Sequence, residues 1–240
     1  MTMLRSIVFL VGGVLITAFF GILVPLGGFH FRAACWVAQV YGRIMLVWAR
    51  IACGIRYRIK GWENVPDYPV VAMAKHQSAW ETIFMDARFP PQCWIVKREL
   101  LWLPFVGWSL MAIRCVAIDR SSGQSARDQI VEKGARRLRQ GMWVSIFPEG
   151  TRIAPGEKGR YGIGGAILAS RTGTPVLPIA HNAGEVWPRN SLRKYPGVVD
   201  VVIGAPIRTE GRDPVSINNE VEAWIEGRMR EISPERYADA

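Results

Sequence analysis

An imidazole and a carboxylate lie five residues apart in this chain, His76 and Glu81 of the run HQSAWE. On a regular helix, side chains five residues apart point roughly 140° away from each other. The two can meet if His76 lies in the loop before a helix that begins near Ser78, which is a good N-cap with Glu81 at the N3 position. A carboxylate beside an imidazole fixes its tautomer and stabilises the imidazolium that forms when the ring takes a proton. The spacing therefore predicts a proton-abstracting pair at the start of a helix.

Two simpler interpretations stay open at this point. Glu81 could serve only as a capping residue, and a lone histidine after a strand is more often structural than catalytic. The chain has three histidines, and its four cysteines do not show the spacing of metal ligands, so we expect no metal site.

A second polar segment, Phe147-Pro-Glu-Gly-Thr-Arg152, follows a predicted strand about seventy residues later. Arg152 suits a phosphate because the planar guanidinium matches phosphate oxygens, and Gly150 allows the backbone to approach closely. Glu149 is expected to brace the turn, and Thr151 completes the loop. A base followed by an anion-binding loop suits acyl transfer to an alcohol that carries a phosphate.

Two further cations are candidates for the same anion site. Lys97 and Arg120 each follow a predicted strand. The alternative is ordinary surface charge, or a salt bridge to Glu99 or Asp119.

These blocks, with two others, resemble the glycerophospholipid acyltransferase family, of the 1-acyl-sn-glycerol-3-phosphate acyltransferase type, over roughly residues 60–207. The matching blocks are His76 to Glu81, Lys97–Leu100 with the apolar run to Gly107 and Ile118-Asp-Arg120, Phe147–Arg152, and Thr174–Ile179. This chain departs from the family pattern in having Glu81 where Asp is common and Lys75 where Asn is frequent. It also has Tyr161-Gly162-Ile163 where some members carry a lysine.

The resemblance implies a mechanism and its substrates. His76, oriented by Glu81, would take the proton from the free hydroxyl of a lysophospholipid acceptor. The oxygen would then attack an acyl thioester of coenzyme A or acyl carrier protein, with no bound cofactor, making phosphatidic acid for phospholipid biosynthesis. Arg152 and Lys97, and less strongly Arg120, would hold the acceptor phosphate together with the Glu149–Thr151 loop.

Other functions remain open from the sequence alone. The acceptor could be another lysolipid or an amino-acid lipid, or the chain could be a non-catalytic, basic, membrane-anchored binding protein. The net charge of +10 favours an anionic partner, but the basic residues carry no nucleic-acid-binding motif. Ten tryptophans and the apolar N-terminus favour membrane lipids as that partner.

The N-terminal residues 1–54 are predicted to anchor the protein to a membrane. Residues 6–29 carry no charge and would form a helix about 36 Å long, enough to cross a bilayer, with a signal peptide as the alternative. Ala33–Cys53 places Arg32, Arg43 and Arg50 on one stripe, which predicts an interfacial helix with arginines toward the headgroups or a soluble helix that covers the core. The basic excess after it predicts that the catalytic domain is cytoplasmic.

Residues 55–240 are predicted to form the catalytic domain, an α/β fold with a mostly parallel central sheet flanked by helices. Leu100–Met111 is apolar and could line an acyl-chain tunnel, dip into the bilayer or lie in the core. The predicted strands are 57–60, 70–74, 93–96, 116–118, 143–147, 176–179 and 198–203, and the predicted helices are 78–87, 125–140, 166–171 and 215–232.

Overall fold

A computed structural model describes residues 2–27, 30–119 and 122–237, so the candidate Arg120 lies outside the described residues. The helices are α1 (Thr2–Leu26), α2 (Phe31–Cys53), α3 (Trp80–Arg88), α4 (Val106–Ala112), α5 (Gln124–Arg139), α6 (Gly164–Thr172), α7 (Ala183–Val186) and α8 (Pro214–Ile232). The strands are β1 (Ile55–Lys60), β2 (Val71–Ala74), β3 (Gln92–Lys97), β4 (Val116–Ile118), β5 (Trp143–Ile146), β6 (Val176–His181) and β7 (Gly197–Ile203).

The strands form one sheet in the order β1-β7-β6-β2-β5-β3-β4. The five strands from β6 to β4 run parallel to one another. β7 is antiparallel to β6, and β1 is parallel to β7. The prediction of a mostly parallel α/β sheet is confirmed, because short apolar runs alternating with helices require crossover connections.

The central strands are buried on both faces, which explains why they read as continuous apolar runs. Every residue of β2, β5 and β6 is buried. Since parallel strands end at one edge of the sheet, the loops after β2, β5 and β3 meet there. His76, Phe147–Arg152 and Lys97 therefore lie at the same edge, which is where ligands bind in open α/β sheets.

The predicted helices all form, with shifted ends, and two short helices were not predicted. α3 begins at Trp80, one residue later than a helix with Ser78 at its N-cap would begin. The predicted capping contacts nevertheless form, since the Ser78 hydroxyl accepts the N–H of Trp80 and Glu81 accepts the N–H of Ser78. α4 has seven residues and lies in a segment with no polar face. Its sequence therefore lacks the alternation of apolar and polar residues at helical spacing from which a helix is predicted. α7 is a single turn after β6.

Helix α1 is, within the described ranges, the one helix that is long and apolar enough to cross a membrane. Both of its ends nevertheless contact the remainder of the protein. Near its start, Arg5 Nε donates to the carbonyl of Ala52 at 2.9 Å, and the ring of Phe9 packs edge-on against Trp187. Farther along, Gly21 lies so close to Phe105 that an added Cβ would fall 2.3 Å from the Phe105 Cβ. The helix therefore lies along the catalytic domain.

Helix α2 lies against α1 and α3, and part of its polar stripe points toward the catalytic domain. Gln39 Nε2 donates to the carbonyl of Phe89 at 2.9 Å, and Arg43 Nε donates to that of Ala87 at 3.3 Å. Arg43 is exposed, and its Nε satisfies a carbonyl left free at the end of α3, so this residue ties α2 to the catalytic domain. The orientation of the arginine stripe toward lipid headgroups stays a prediction. Trp36 and Ile51 remain exposed.

Candidate active site

The side chains of His76 and Glu81 meet in the loop between β2 and α3. Nδ1 of His76 lies 2.8 Å from Oε1 of Glu81, and Glu81 is fully buried. The same oxygen accepts the backbone N–H groups of Gln77 at 3.0 Å and Ser78 at 2.8 Å. Glu81 thus caps the start of α3 and orients the imidazole, so the two interpretations of this residue are compatible.

Ser78 holds the loop from the other side. Its hydroxyl accepts the N–H of Trp80 at 3.1 Å and donates to the carbonyl of Trp187 at 2.7 Å. The hydroxyl therefore caps α3 and ties its start to the segment after β6.

The environment keeps Glu81 ionised. Burial alone would raise its pKa, but interactions with His181 and His76 and the N–H of Ser78 hold the pKa below its ordinary value. With Nδ1 of His76 hydrogen-bonded to Glu81, Nε2 is the ring nitrogen left to take a proton. The pair has the geometry of a general base with an orienting carboxylate.

The main chain of His76 is fixed by the second motif and by Ile153, the residue that follows it. Its N–H donates to Oε2 of Glu149 at 2.7 Å, and its carbonyl accepts the N–H of Ile153 at 2.8 Å. The Phe147 ring stacks on the imidazole with 3.9 Å between centroids. Gly150 adopts a φ of +66°, which lets the chain turn sharply between these contacts.

Within this loop, Glu149 faces inward and Arg152 borders a cavity. The side chain of Glu149 is fully buried and forms a salt bridge with Lys75 at 2.7 Å, so it braces the loop, whereas Thr151 is exposed. The guanidinium of Arg152 makes no hydrogen bond or ion pair with any residue that the structure describes. Together with His76, Arg152 lines a cavity of about 430 Å³.

This cavity is polar near His76 and Arg152 and mostly apolar elsewhere. One wall is a face of α3, formed by Ala79, Thr82, Ile83 and Asp86. The opposite walls come from α1 and from the segment 100–111, including Phe20, Gly21, Leu103, Phe105 and Leu110. Leu100–Met111 was expected to line an acyl-chain tunnel, to dip into the bilayer or to lie in the core. The structure excludes the core, because residues of this segment line the cavity and Trp102 is 81% exposed. A long apolar cavity beside a base and a cation suits an acyl chain.

Lys97 lies at the same sheet edge but does not border the cavity. It is exposed and pairs with Glu99 at 3.2 Å, the salt bridge anticipated as its alternative role. Among the candidate cations that the structure describes, Arg152 is the one that borders the cavity.

Several residues important to the site gave little signal in the sequence. Lys75 is fully buried between Glu149 and Glu226, which come from distant parts of the chain. His181 Nε2 donates to the carbonyl of Lys75 at 2.7 Å, and Nδ1 accepts the N–H of Ala183 at 3.3 Å. Burial lowers the pKa of His181, and both ring nitrogens are engaged by the main chain, so its role is structural. Its place at the end of an apolar strand was the only available signal.

Asp86 is a further residue that the sequence did not single out. Its Oδ1 accepts the indole N–H of Trp94 at 2.7 Å, and burial raises its pKa to about 7.

No group of three or more histidine, cysteine, aspartate or glutamate side chains suited to a metal ion occurs in residues 2–27, 30–119 and 122–237.

Known proteins are similar to this chain in sequence and in fold. The family model described as acyltransferase matches residues 56–182. A 1-acyl-sn-glycerol-3-phosphate acyltransferase of Pseudomonas aeruginosa is 46% identical over 202 residues, which cover 83% of this chain and 79% of that protein. The mouse 1-acyl-sn-glycerol-3-phosphate acyltransferase alpha is 31% identical over 176 residues, covering 72% of this chain and 62% of the mouse protein.

A solved structure supports the fold independently. The crystal structure of the 1-acyl-sn-glycerophosphate acyltransferase of Thermotoga maritima matches with a TM-score of 0.82 at 22% identity, over 97% of this chain and 96% of that one. The sheet, the His76–Glu81 pair and the matched family model agree, and the chain belongs to the acyltransferase family.

Proposed function

We propose that this enzyme transfers an acyl chain from a thioester to the free hydroxyl of 1-acyl-sn-glycerol-3-phosphate, producing phosphatidic acid. The observation that carries the proposal is the shared cavity of His76 and Arg152, where a base and a cation without an ion-pair partner in the described part of the chain open onto an apolar space. The relatives from Pseudomonas aeruginosa and mouse are named for the same acceptor, which supports the proposal.

In this mechanism, Nε2 of His76 takes the proton of the acceptor hydroxyl as its oxygen attacks the thioester carbonyl. Glu81, which stays ionised, stabilises the imidazolium that forms. The imidazolium then returns its proton to the departing thiolate, from coenzyme A or acyl carrier protein. The acyl group passes directly from sulfur to oxygen, so the reaction needs neither a covalent acyl-enzyme nor a bound cofactor.

Arg152 binds the acceptor phosphate in this scheme. Its guanidinium has no partner within residues 2–27, 30–119 and 122–237, and a guanidinium can form two parallel hydrogen bonds to phosphate oxygens. Lys97 would contribute more weakly, since it must leave Glu99, and Arg120 remains a sequence-based candidate. Glu149 and Gly150 shape the loop that presents Arg152.

The enzyme acts at a membrane in this proposal, with the catalytic domain on the cytoplasmic side. α1 exposes Leu15 and Phe19, and the segment beside the cavity exposes Trp102, so the acyl-chain site is next to an apolar surface. Arg56 and Lys60 directly follow α2, which fits the excess of basic residues on the cytoplasmic side.

A second acceptor class has one observation in its favour. Tyr161 stands where some family members carry a lysine, and its hydroxyl points inward to Glu226 at 2.8 Å. That loop position therefore supplies no cation for a phosphate, which leaves room for another lysolipid or an amino-acid lipid as the acceptor.

An acceptor panel tests both possibilities. The purified protein is given an acyl thioester with lysophosphatidate, with lysophosphatidylcholine, or with a monoacylated amino-acid lipid, and His76→Ala is the control for uncatalysed transfer. Faster turnover of lysophosphatidate supports the proposal, and preference for either of the others replaces the acceptor. No turnover with any of them would indicate a non-catalytic binding protein.

A further inference from the structure

A buried charge cluster adjoins His76, and its residues do not line the cavity that His76 shares with Arg152. Its central residue is Lys75, whose side chain has no exposure to solvent. Nζ of Lys75 lies 2.7 Å from Oε1 of Glu149 and 2.8 Å from Oε1 of Glu226. The hydroxyl of Tyr161 donates to the same oxygen of Glu226 at 2.8 Å. One cation is thus held by two carboxylates and, at 3.4 Å, by the carbonyl of Glu157, while the phenol holds one of the carboxylates.

The cluster is continuous with the main chain of the candidate base. The second oxygen of Glu149, Oε2, accepts the N–H of His76 at 2.7 Å. A path of short polar contacts therefore runs from Glu226 through Lys75 and Glu149 to His76. The main chain of Lys75 is held as well, because its carbonyl accepts a hydrogen bond from His181.

Glu226 is unexpected on packing grounds alone. The face of α8 that covers the sheet contains Ile217, Val221, Ile225 and Met229, all fully buried. A carboxylate next to this face, only 5% exposed, is unfavourable unless it is paired and hydrogen-bonded. Lys75 and Tyr161 supply that pairing, so the position of Glu226 is tied to the loop that carries His76.

The charge states fit a fixed ion pair. Burial alone would lower the pKa of Lys75, but Glu149 and Glu226 together raise it above its ordinary value, so the amine stays protonated. Burial raises the pKa of Glu149, an effect opposed by Lys75 and by the N–H of His76. Removing one carboxylate would leave the ammonium less well held and free to shift against Glu149.

We propose that Glu226 is a positioning residue for acyl transfer, which holds Lys75 against Glu149 and thereby fixes the main chain of His76. The proposal rests on His76 being the base in the proposed function. It assigns a role in the reaction to α8, which lies beyond the matched residues 56–182 and does not border the cavity.

The test compares two isosteric changes on the same helix. Glu226→Gln removes the buried carboxylate, and Glu222→Gln, one turn earlier, removes a carboxylate that pairs with Lys158 nearer the surface at 2.5 Å. Both changes alter the net charge equally. We expect Glu226→Gln to lower kcat about 10- to 100-fold, since small displacements of a catalytic group have effects of this size, with KM for both substrates nearly unchanged. Glu222→Gln should leave kcat near that of the unmodified enzyme.

A second readout does not depend on activity. Hydrogen exchange of the His76 amide, followed by mass spectrometry of its peptide, should be faster in Glu226→Gln and unchanged in Glu222→Gln. If the unmodified protein transfers no acyl group to any lysolipid, the proposed function fails, whereas the exchange rates still decide whether Glu226 fixes His76. If the unmodified protein is active and Glu226→Gln keeps its kcat and its exchange rate, the positioning role is overturned.

A milder variant covers the case in which Glu226→Gln does not fold. Tyr161→Phe keeps every charge and removes only the hydroxyl that orients Glu226. We expect a smaller decrease in kcat in the same direction, again without a change in KM. A fall in Tm with unchanged kcat, measured well below the transition, would show that the cluster only stabilises the fold and would overturn the proposal.

Discussion

The imidazole of His76 is stacked on the ring of Phe147, with an angle of 7° between the two planes. The contact joins the first motif to the second, so the second motif supports the base as well as presenting Arg152. Aromatic pairs of this kind contribute about 0.5–1.5 kcal/mol beyond the area they bury. We expect Phe147→Leu to lower kcat about 2- to 10-fold, because the ring loses its flat support. Steady-state kinetics would measure this, and Phe147→Tyr, which keeps the ring, should retain most activity.

Replacing the base should abolish transfer while leaving the fold intact. General-base catalysis contributes about 10²- to 10⁴-fold, so His76→Ala should lose at least that factor in kcat. A folded His76→Ala protein with near-normal turnover would contradict the mechanism. Tm and circular dichroism serve as the check on folding.

The carboxylate partner should tolerate only a charged substitute. Glu81→Gln should be severely impaired, since an amide cannot stabilise the imidazolium, whereas Glu81→Asp should keep measurable activity if the loop adjusts to the shorter side chain. Turnover assays on the two variants measure the difference. Full activity of Glu81→Gln would mean that Glu81 serves only to cap α3.

Arg152 should affect the acceptor more than the donor. Arg152→Lys keeps the charge and loses the planar pair of donors, so KM for the acceptor should rise while KM for the thioester changes little. Arg152→Ala should be worse, with little change in Tm, because the guanidinium has no partner among the described residues. Lys97→Ala is the matched comparison and should show a weaker effect of the same kind. A rise in the thioester KM instead would place Arg152 at the donor site.

Asp86 should make the stability of the protein depend on pH. Its pKa in the folded protein is about 7, above its ordinary value of 3.8, mainly because of burial. The folded state therefore binds this proton more tightly than the unfolded state, and the resulting stability is present below about pH 4 and lost as the pH rises through 7. Asp86→Asn cannot titrate, so its Tm relative to the unmodified protein should increase from pH 5 to pH 8. The exposed Asp128→Asn serves as a control and should show no such trend.

Much of the catalytic domain was predictable because its signals are local. Each strand is a short apolar run, and the HQSAWE and FPEGTR motifs place their side chains at strand ends, so all seven strands and the meeting of His76 with Glu81 followed from the sequence. The cluster around Lys75 was not predictable, because Glu226 is 151 residues away and looks like a surface residue of a charged helix. The contact of Arg43 was not predictable for a similar reason, since the carbonyl it satisfies belongs to a helix some forty residues later.

The contact between Gly21 and Phe105 has a practical consequence for making the protein. α1 supplies one wall of the cavity that contains His76 and Arg152, through Phe20, Gly21 and Val24, and Gly21 leaves no gap between this helix and the segment that carries Phe105. A truncated protein that starts after α1 would lose its most apolar helix and also open the substrate cavity along one side. Expression strategies that aim for a soluble form should keep this helix and disperse its outer face with detergent.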